Sequence, residues 1–119
     1  GDLEQIFDNR CAVSGLGLRA VLRASHVVPW KNSTGKERLD PSNGLLLSAN
    51  LDALFDKFLI TFDADGRIWT SEALDKDELV KLGPLTKLRV KPTRQQAAYL
   101  ARHNDFFEQY ERQLRAKAP

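Results

Sequence analysis

Two short apolar runs, Val21 to Val28 and Leu45 to Leu47, flank a polar stretch, and an amphipathic segment follows the second run. This order constrains the fold more than any other feature of the chain. Pro29 lacks a backbone donor and should end the first run as a strand. Asn43-Gly44 leads into the second run, which reads as a short buried strand. Ser48 or Asn50 then offers an N-cap for a helix running to about Phe58, with Leu51, Leu54, Phe55 and Phe58 on its buried side. Between the strands, Trp30 to Ser42 mixes charges with Asn, Ser, Thr, Gly and Pro and reads as one long loop. Loops of about a dozen residues are uncommon in compact domains and are often functional.

The flanking segments extend this pattern. Leu3, Ile6 and Phe7 are spaced for a short helical turn over Asp2 to Phe7. Leu59 to Phe62 and Arg67 to Thr70 are β-prone, and Asp63-Ala64-Asp65-Gly66 between them reads as a hairpin turn with Gly at its left-handed position. A short helix over 75–82 should end at Gly83-Pro84. Thr93 is a good N-cap for a last helix reaching about Arg115, with a predicted buried stripe of Ala97, Leu100, Ala101, Phe107, Tyr110 and Leu114. Strand, loop, strand, helix, hairpin, helix is an α+β order. One domain over 1–119 is expected, with a ββα core at about 21–58. Gly1 in place of Met is compatible with a piece of a longer protein.

Composition narrows the function classes. The chain is 42% hydrophobic and 29% charged, as in globular proteins and unlike disordered ones. Its single cysteine, Cys11, excludes an internal disulfide framework and any four-cysteine zinc site, and it suits a reducing, cytoplasmic location. No apolar run approaches the ~20 residues of a membrane span, so no membrane partner is expected. Residues 1–60 hold seven charges of each sign, whereas 86–119 hold eight basic and three acidic residues. Such a basic tail suits a phosphate backbone, and it equally suits solubility.

The candidate chemistry lies around the two strands. His26 closes the first strand, Asn43 opens the second, and Asp52 and Asp56 are one turn apart on the helix that follows. Spacing of i and i+4 puts both carboxylates on one helix face, about 5–6 Å apart at Cβ, within reach of one divalent cation. Read individually, His26 is also a plausible structural histidine and the Asp pair a solvated face.

Taken together, Ser25-His26-Val27-Val28-Pro29, Asn43-Gly44-Leu45-Leu46-Leu47 and Leu51-Asp52-Ala53-Leu54-Phe55-Asp56 resemble the HNH (ββα-metal) endonuclease motif. Arg10-Cys11-Ala12-Val13-Ser14-Gly15 and Tyr99-Leu100-Ala101-Arg102-His103 resemble the branch often found in bacterial restriction and defence proteins. The likeness spans roughly residues 9–110, and the order of the fragments makes it specific. It implies an α+β ββα-metal core with an added β-hairpin and a long C-terminal helix. His26 would act as general base on the attacking water, and Asn43 would shape the loop and help orient that histidine. Asp52 stands where the motif's last His or Asn binds metal, and Asp56 where colicin-type relatives supply another ligand. Two departures stand out: the residue before the histidine is Ser25 where the family commonly has Asp or His, and the last motif residue is Asp52.

The implied activity is metal-dependent hydrolysis of DNA phosphodiester bonds, leaving a 5′-phosphate and a 3′-hydroxyl. The rival is a catalytically impaired HNH-fold DNA-binding module. Free histidine titrates near about 6.5, so an imidazole is neutral enough at neutral pH to deprotonate water. An oxygen-rich site favours Mg²⁺ or Mn²⁺ over Zn²⁺. Lys57, Arg23 and Lys31 are the expected DNA contacts, with Arg19, Lys36 and Arg38 nearby, although each also reads as a solvated charge. Trp30 either stacks on a base or sugar or packs under the loop. Trp69 and the phenylalanines at 55, 58, 62, 106 and 107 read as core, and His103 as structural. Besides DNA, a fused sensor or recognition domain, or a homodimer, is compatible with the resemblance.

Overall fold

The computed structural model describes residues 1–119. In chain order it contains α1 (Asp2–Ile6), β1 (Leu22–His26), α2 (Gly35–Leu39), β2 (Gly44–Ser48) and α3 (Ala49–Asp56). These are followed by β3 (Ile60–Phe62), β4 (Ile68–Thr70), α4 (Lys76–Leu79) and α5 (Arg94–Lys117). β1 and β2 pair antiparallel with Ser25 opposite Leu45 and His26 opposite Gly44, and α3 packs on both strands. β3 and β4 form the expected second hairpin, with Thr61 opposite Trp69. The α+β reading and the ββα core therefore hold. No helix is long and apolar enough to cross a membrane.

The core explains this arrangement. Leu47, Phe55, Ile60, Phe62 and Leu100 are fully buried and join β2, α3, β3 and α5 into one cluster. β2 is buried from Gly44 to Leu47 because it is covered on both faces. α1 lies so close that a Cβ on Gly44 would stand 2.8 Å from Leu3 Cδ1, so a larger residue there would have to displace the Leu3 side chain. Leu51 and Phe55 are the buried residues of α3, so its i+1 neighbours Asp52 and Asp56 must face the edge of the core.

Three sequence expectations need correction. The stretch Trp30 to Ser42 is structured: α2 lies between the 3₁₀ turns Trp30–Asn32 and Pro41–Asn43. A capping box starts α2, with Thr34 Oγ1 accepting from the Glu37 N–H at 3.2 Å and Glu37 Oε1 accepting from the Thr34 N–H at 2.9 Å. α3 stops at Asp56, and Phe58 adopts φ 58° just beyond it. On α5 the buried residues are Leu100, His103, Phe107 and Glu111, whereas Ala101, Tyr110 and Leu114 are exposed. The α5 stripe shifts because two polar side chains on it find buried partners: His103 bonds Thr61, and Glu111 accepts from Ser71 Oγ at 2.6 Å and from the Glu72 N–H at 2.8 Å.

The β3–β4 turn depends on Gly66, at φ 85°, where an added Cβ would stand 3.2 Å from Pro92 Cδ and 3.3 Å from Leu88 Cβ. Gly66→Ala should therefore destabilise the domain by about 1–2 kcal/mol, the cost of a left-handed residue with a Cβ. Urea unfolding should show a lower midpoint at constant slope, and an unchanged midpoint would contradict the turn assignment.

Candidate active site

Asn43 builds the platform behind His26. Its side chain is buried with every polar group used: Oδ1 accepts from the Val28 N–H at 2.9 Å, and Nδ2 donates to Ser33 Oγ at 3.3 Å and to the Glu37 carbonyl at 3.1 Å. The Asn43 carbonyl also accepts from the Val27 N–H at 3.2 Å. These bonds hold the backbone just after His26 and the start of the β1–β2 connection. Asn43 thus acts on the main chain beside the histidine rather than on the imidazole.

His26 itself is exposed and makes no hydrogen bond to the protein, leaving both ring nitrogens free. Its ring meets the edge of Trp30 at 5.6 Å between centroids and 83°. Trp30 is 57% exposed, with the Arg38 guanidinium 4.5 Å over its ring and Arg38 Nε donating to its carbonyl at 2.9 Å. A cavity of about 350 Å³ beside it is lined by Ser25, His26, Trp30, Asp52, Asp56, Phe58 and His103, among others. The three side chains expected to do the chemistry, His26, Asp52 and Asp56, therefore share one cavity. Ser25 is buried, and its hydroxyl donates to Asp52 Oδ1. Arg23, Lys31 and Lys57 are exposed and do not line this cavity; Arg23 Nη1 bends back to the Ala20 and Leu22 carbonyls at 3.2 and 3.0 Å.

Residues 11–63, which include β1, β2 and α3, match the family model described as HNH endonuclease. Over these residues the chain is similar to HNH endonuclease domains. A solved structure described as a modification-dependent TagI restriction endonuclease superposes on 88% of the chain with a TM-score of 0.58 at 19% identity. The chain spans 35% of that protein's length, and the likeness shows a shared fold. No curated protein matches the chain.

HNH endonucleases generally use divalent metal ions, and the donor chemistry of this HNH cavity fits one. Asp52 and Asp56 supply hard carboxylate oxygens on adjacent helical turns, with the Ser25 hydroxyl beside them. No three His, Cys, Asp or Glu side chains converge on one point. Such a site suits a small hard cation that keeps much of its water and takes one or two carboxylates plus a substrate phosphate.

The HNH core is braced by one turn of α5. Tyr99 Oη donates to Asp40 Oδ2 at 2.7 Å, and Arg102 reaches Glu37 Oε2 at 2.7 Å and the Asn32 carbonyl at 3.0 Å. The Arg102 guanidinium and the α2 cap hold the Glu37 carboxyl below the usual carboxylate range. The Tyr99 bond does the same for Asp40 and pushes the Tyr99 hydroxyl up to about 12. His103 is pushed down to about 4, because burial disfavours its cation despite the Phe55 carbonyl facing it. The sequence reads His103 as structural and marks Ser25 only as a departure from the family pattern. Both line the HNH cavity, and the signal missed was that each is a polar residue inside an apolar pattern.

Stability should follow His103. The unfolded chain takes up a proton near about pH 6.5, but the folded imidazole only at about 4. The unfolded state therefore binds more protons between these values, and stability falls as pH drops through that window. The loss approaches about 3 kcal/mol at its lower end. Urea midpoints measured across this range should decline in wild type and much less in His103→Gln. Equal slopes in the two proteins would contradict a buried neutral imidazole.

Proposed function

We propose that this HNH domain hydrolyses DNA phosphodiester bonds, with His26 as general base and a divalent cation, Mg²⁺ or Mn²⁺, held by Asp52 and Asp56. The observation that carries this reading is the single cavity shared by the His26 imidazole and the two carboxylates. Their arrangement divides the work. His26, with free ring nitrogens, takes a proton from water, and the oxygen so activated attacks phosphorus while the bond to the 3′ oxygen breaks. The cation would neutralise charge on the phosphoryl and departing oxygens. Asn43 keeps the His26 backbone in place, and Ser25 holds one oxygen of Asp52 so that the carboxylate's other oxygen faces a ligand. The products would be a 5′-phosphate and a 3′-hydroxyl.

Substrate would also meet Trp30. A scissile phosphate within reach of His26 carries its flanking sugar past an exposed indole whose ring already touches the imidazole edge. Lys31 neighbours Trp30, and Lys57 follows Asp56, so both lie at the periphery as long-range phosphate contacts; Arg23 sits further along β1. The chain covers 35% of the TagI structure it resembles. We take the domain to be the cutting module of a larger protein whose target recognition lies elsewhere.

Plasmid cleavage with and without Mg²⁺ or Mn²⁺ tests the reading. His26→Ala should lower the rate by at least about 100-fold while DNA binding and melting temperature stay near wild type. Cleavage by His26→Ala at the wild-type rate, with the same metal dependence, would overturn the base assignment.

Trp30 has its own test. Trp30→Ala should raise KM for a short duplex by about 5-fold or more, the size of one lost stacking contact, with a smaller change in kcat. A fall in kcat alone would mean that Trp30 serves only to steady the imidazole.

A further inference from the structure

We propose that His103, buried on α5 below the cavity, is a positioning residue that fixes the C-terminal turn of α3 so that Asp52 and Asp56 can share a cation. This deepens the metal reading above and rests on it.

The end of α3 is a Schellman turn: the Leu59 N–H bonds the Leu54 carbonyl at 2.9 Å, and the Phe58 N–H bonds the Phe55 carbonyl at 3.1 Å. The left-handed position of that turn, normally glycine, is taken by Phe58 at φ 58°. A side chain disfavours this conformation, so neighbouring structure must impose it. α5 does so. The Phe58 ring lies against His103, Phe106 and Tyr110 at centroid distances of 4.8, 5.2 and 5.5 Å.

His103 makes the closest of these attachments to the site. Its ring stacks flat on Phe55, 3.8 Å between centroids and 6° between planes. Nε2 lies 2.9 Å from the Phe55 carbonyl, on the residue directly before Asp56. Nδ1 lies 2.7 Å from Thr61 Oγ1, which also accepts from Asn104 Nδ2 at 2.8 Å. The protons follow from these partners. A carbonyl can only accept, so Nε2 carries the hydrogen, and the neutral ring then accepts at Nδ1 from the Thr61 hydroxyl. Every hydrogen-bonding group of the imidazole is used. The ring therefore cannot rotate without orphaning buried partners, and the Phe55 carbonyl is held to α5. Leucine would fill similar volume but would hold nothing.

A purely structural histidine would affect stability alone; a positioning residue must also affect metal affinity. By linkage, bound cation must in turn strengthen the His103 attachment. The experiment is calorimetric Mn²⁺ titration with a short duplex, all proteins carrying His26→Ala to prevent cleavage, accompanied by thermal melts. His103→Leu should weaken Mn²⁺ binding by about tenfold or more, as losses of outer-shell partners do. His103→Gln, which keeps an amide donor for the Phe55 carbonyl, should recover part of that loss. Glu111→Gln, on the same helix but bonded to Ser71 and Glu72, should lower the melting temperature with affinity unchanged. In the wild-type domain, Mg²⁺ should slow hydrogen exchange at His103 Nε2, a readout that needs no variant to fold. The proposal is overturned if Asp52→Asn weakens Mn²⁺ binding while the His103 variants do not, or if Glu111→Gln weakens it equally. Unchanged exchange at Nε2 on saturation with Mg²⁺ also overturns it. If Asp52→Asn itself leaves Mn²⁺ affinity unchanged, the metal reading fails first, and this inference fails with it.

Discussion

The burial of Phe55 is the constraint on which the rest of the site depends. Its ring is fully buried, stacked on His103 and tilted against Phe62. With Leu51 one turn earlier also buried, helical periodicity leaves Asp52 and Asp56 together on the neighbouring strip of α3. That strip faces the end of β1, where the pairing of Ser25 with Leu45 and His26 with Gly44 sets the other side of the cavity. A change of register in β1 by one residue would turn Ser25 and His26 each to the opposite face of the strand and dismantle the site.

The same arrangement carries an electrostatic cost. Like charges one turn apart on a helix oppose folding by a few tenths of a kcal/mol. The domain limits this by giving Asp52 the Ser25 hydroxyl and leaving Asp56 in water. Around this cleft the scaffold is tightly bonded. No buried side-chain nitrogen or oxygen lacks a partner, and Asn43, His103 and Glu111 each link segments distant in sequence. His26 contrasts with them: its ring nitrogens bond nothing in the protein, and its ring lines the cavity shared with the two carboxylates.

Much of this was legible in the sequence because it follows local rules. The break at Gly83, the turn at Gly66 and the Thr93 cap lie at or next to the element boundaries observed, whereas β1 ends at His26, three residues before Pro29. Asp52 and Asp56, which the i, i+4 spacing puts on one helix face, both line one cavity. α2 was missed although Thr34 and Glu37 signal it, because a composition rich in turn formers outweighed one capping pair. The burial of His103 and Glu111 was missed for a different reason. Their partners, Thr61 and Ser71, lie 42 and 40 residues away, and periodicity within one helix does not report tertiary bonds. Ser25 was legible as a departure from the HNH pattern, but its bond to Asp52 emerges only when β1 and α3 are packed together.

The most direct measurement is the location of the cation. Crystals of the His26→Ala protein with a short duplex, grown in Mn²⁺ and measured near the manganese absorption edge, would place the ion by its anomalous scattering. A single strong peak bridging the Asp52 and Asp56 carboxylates and a backbone phosphate, with Ser25 still beside Asp52, is the expected result. A peak coordinated by other side chains, with both aspartates in water alone, would contradict the assignment of this cavity as the active site.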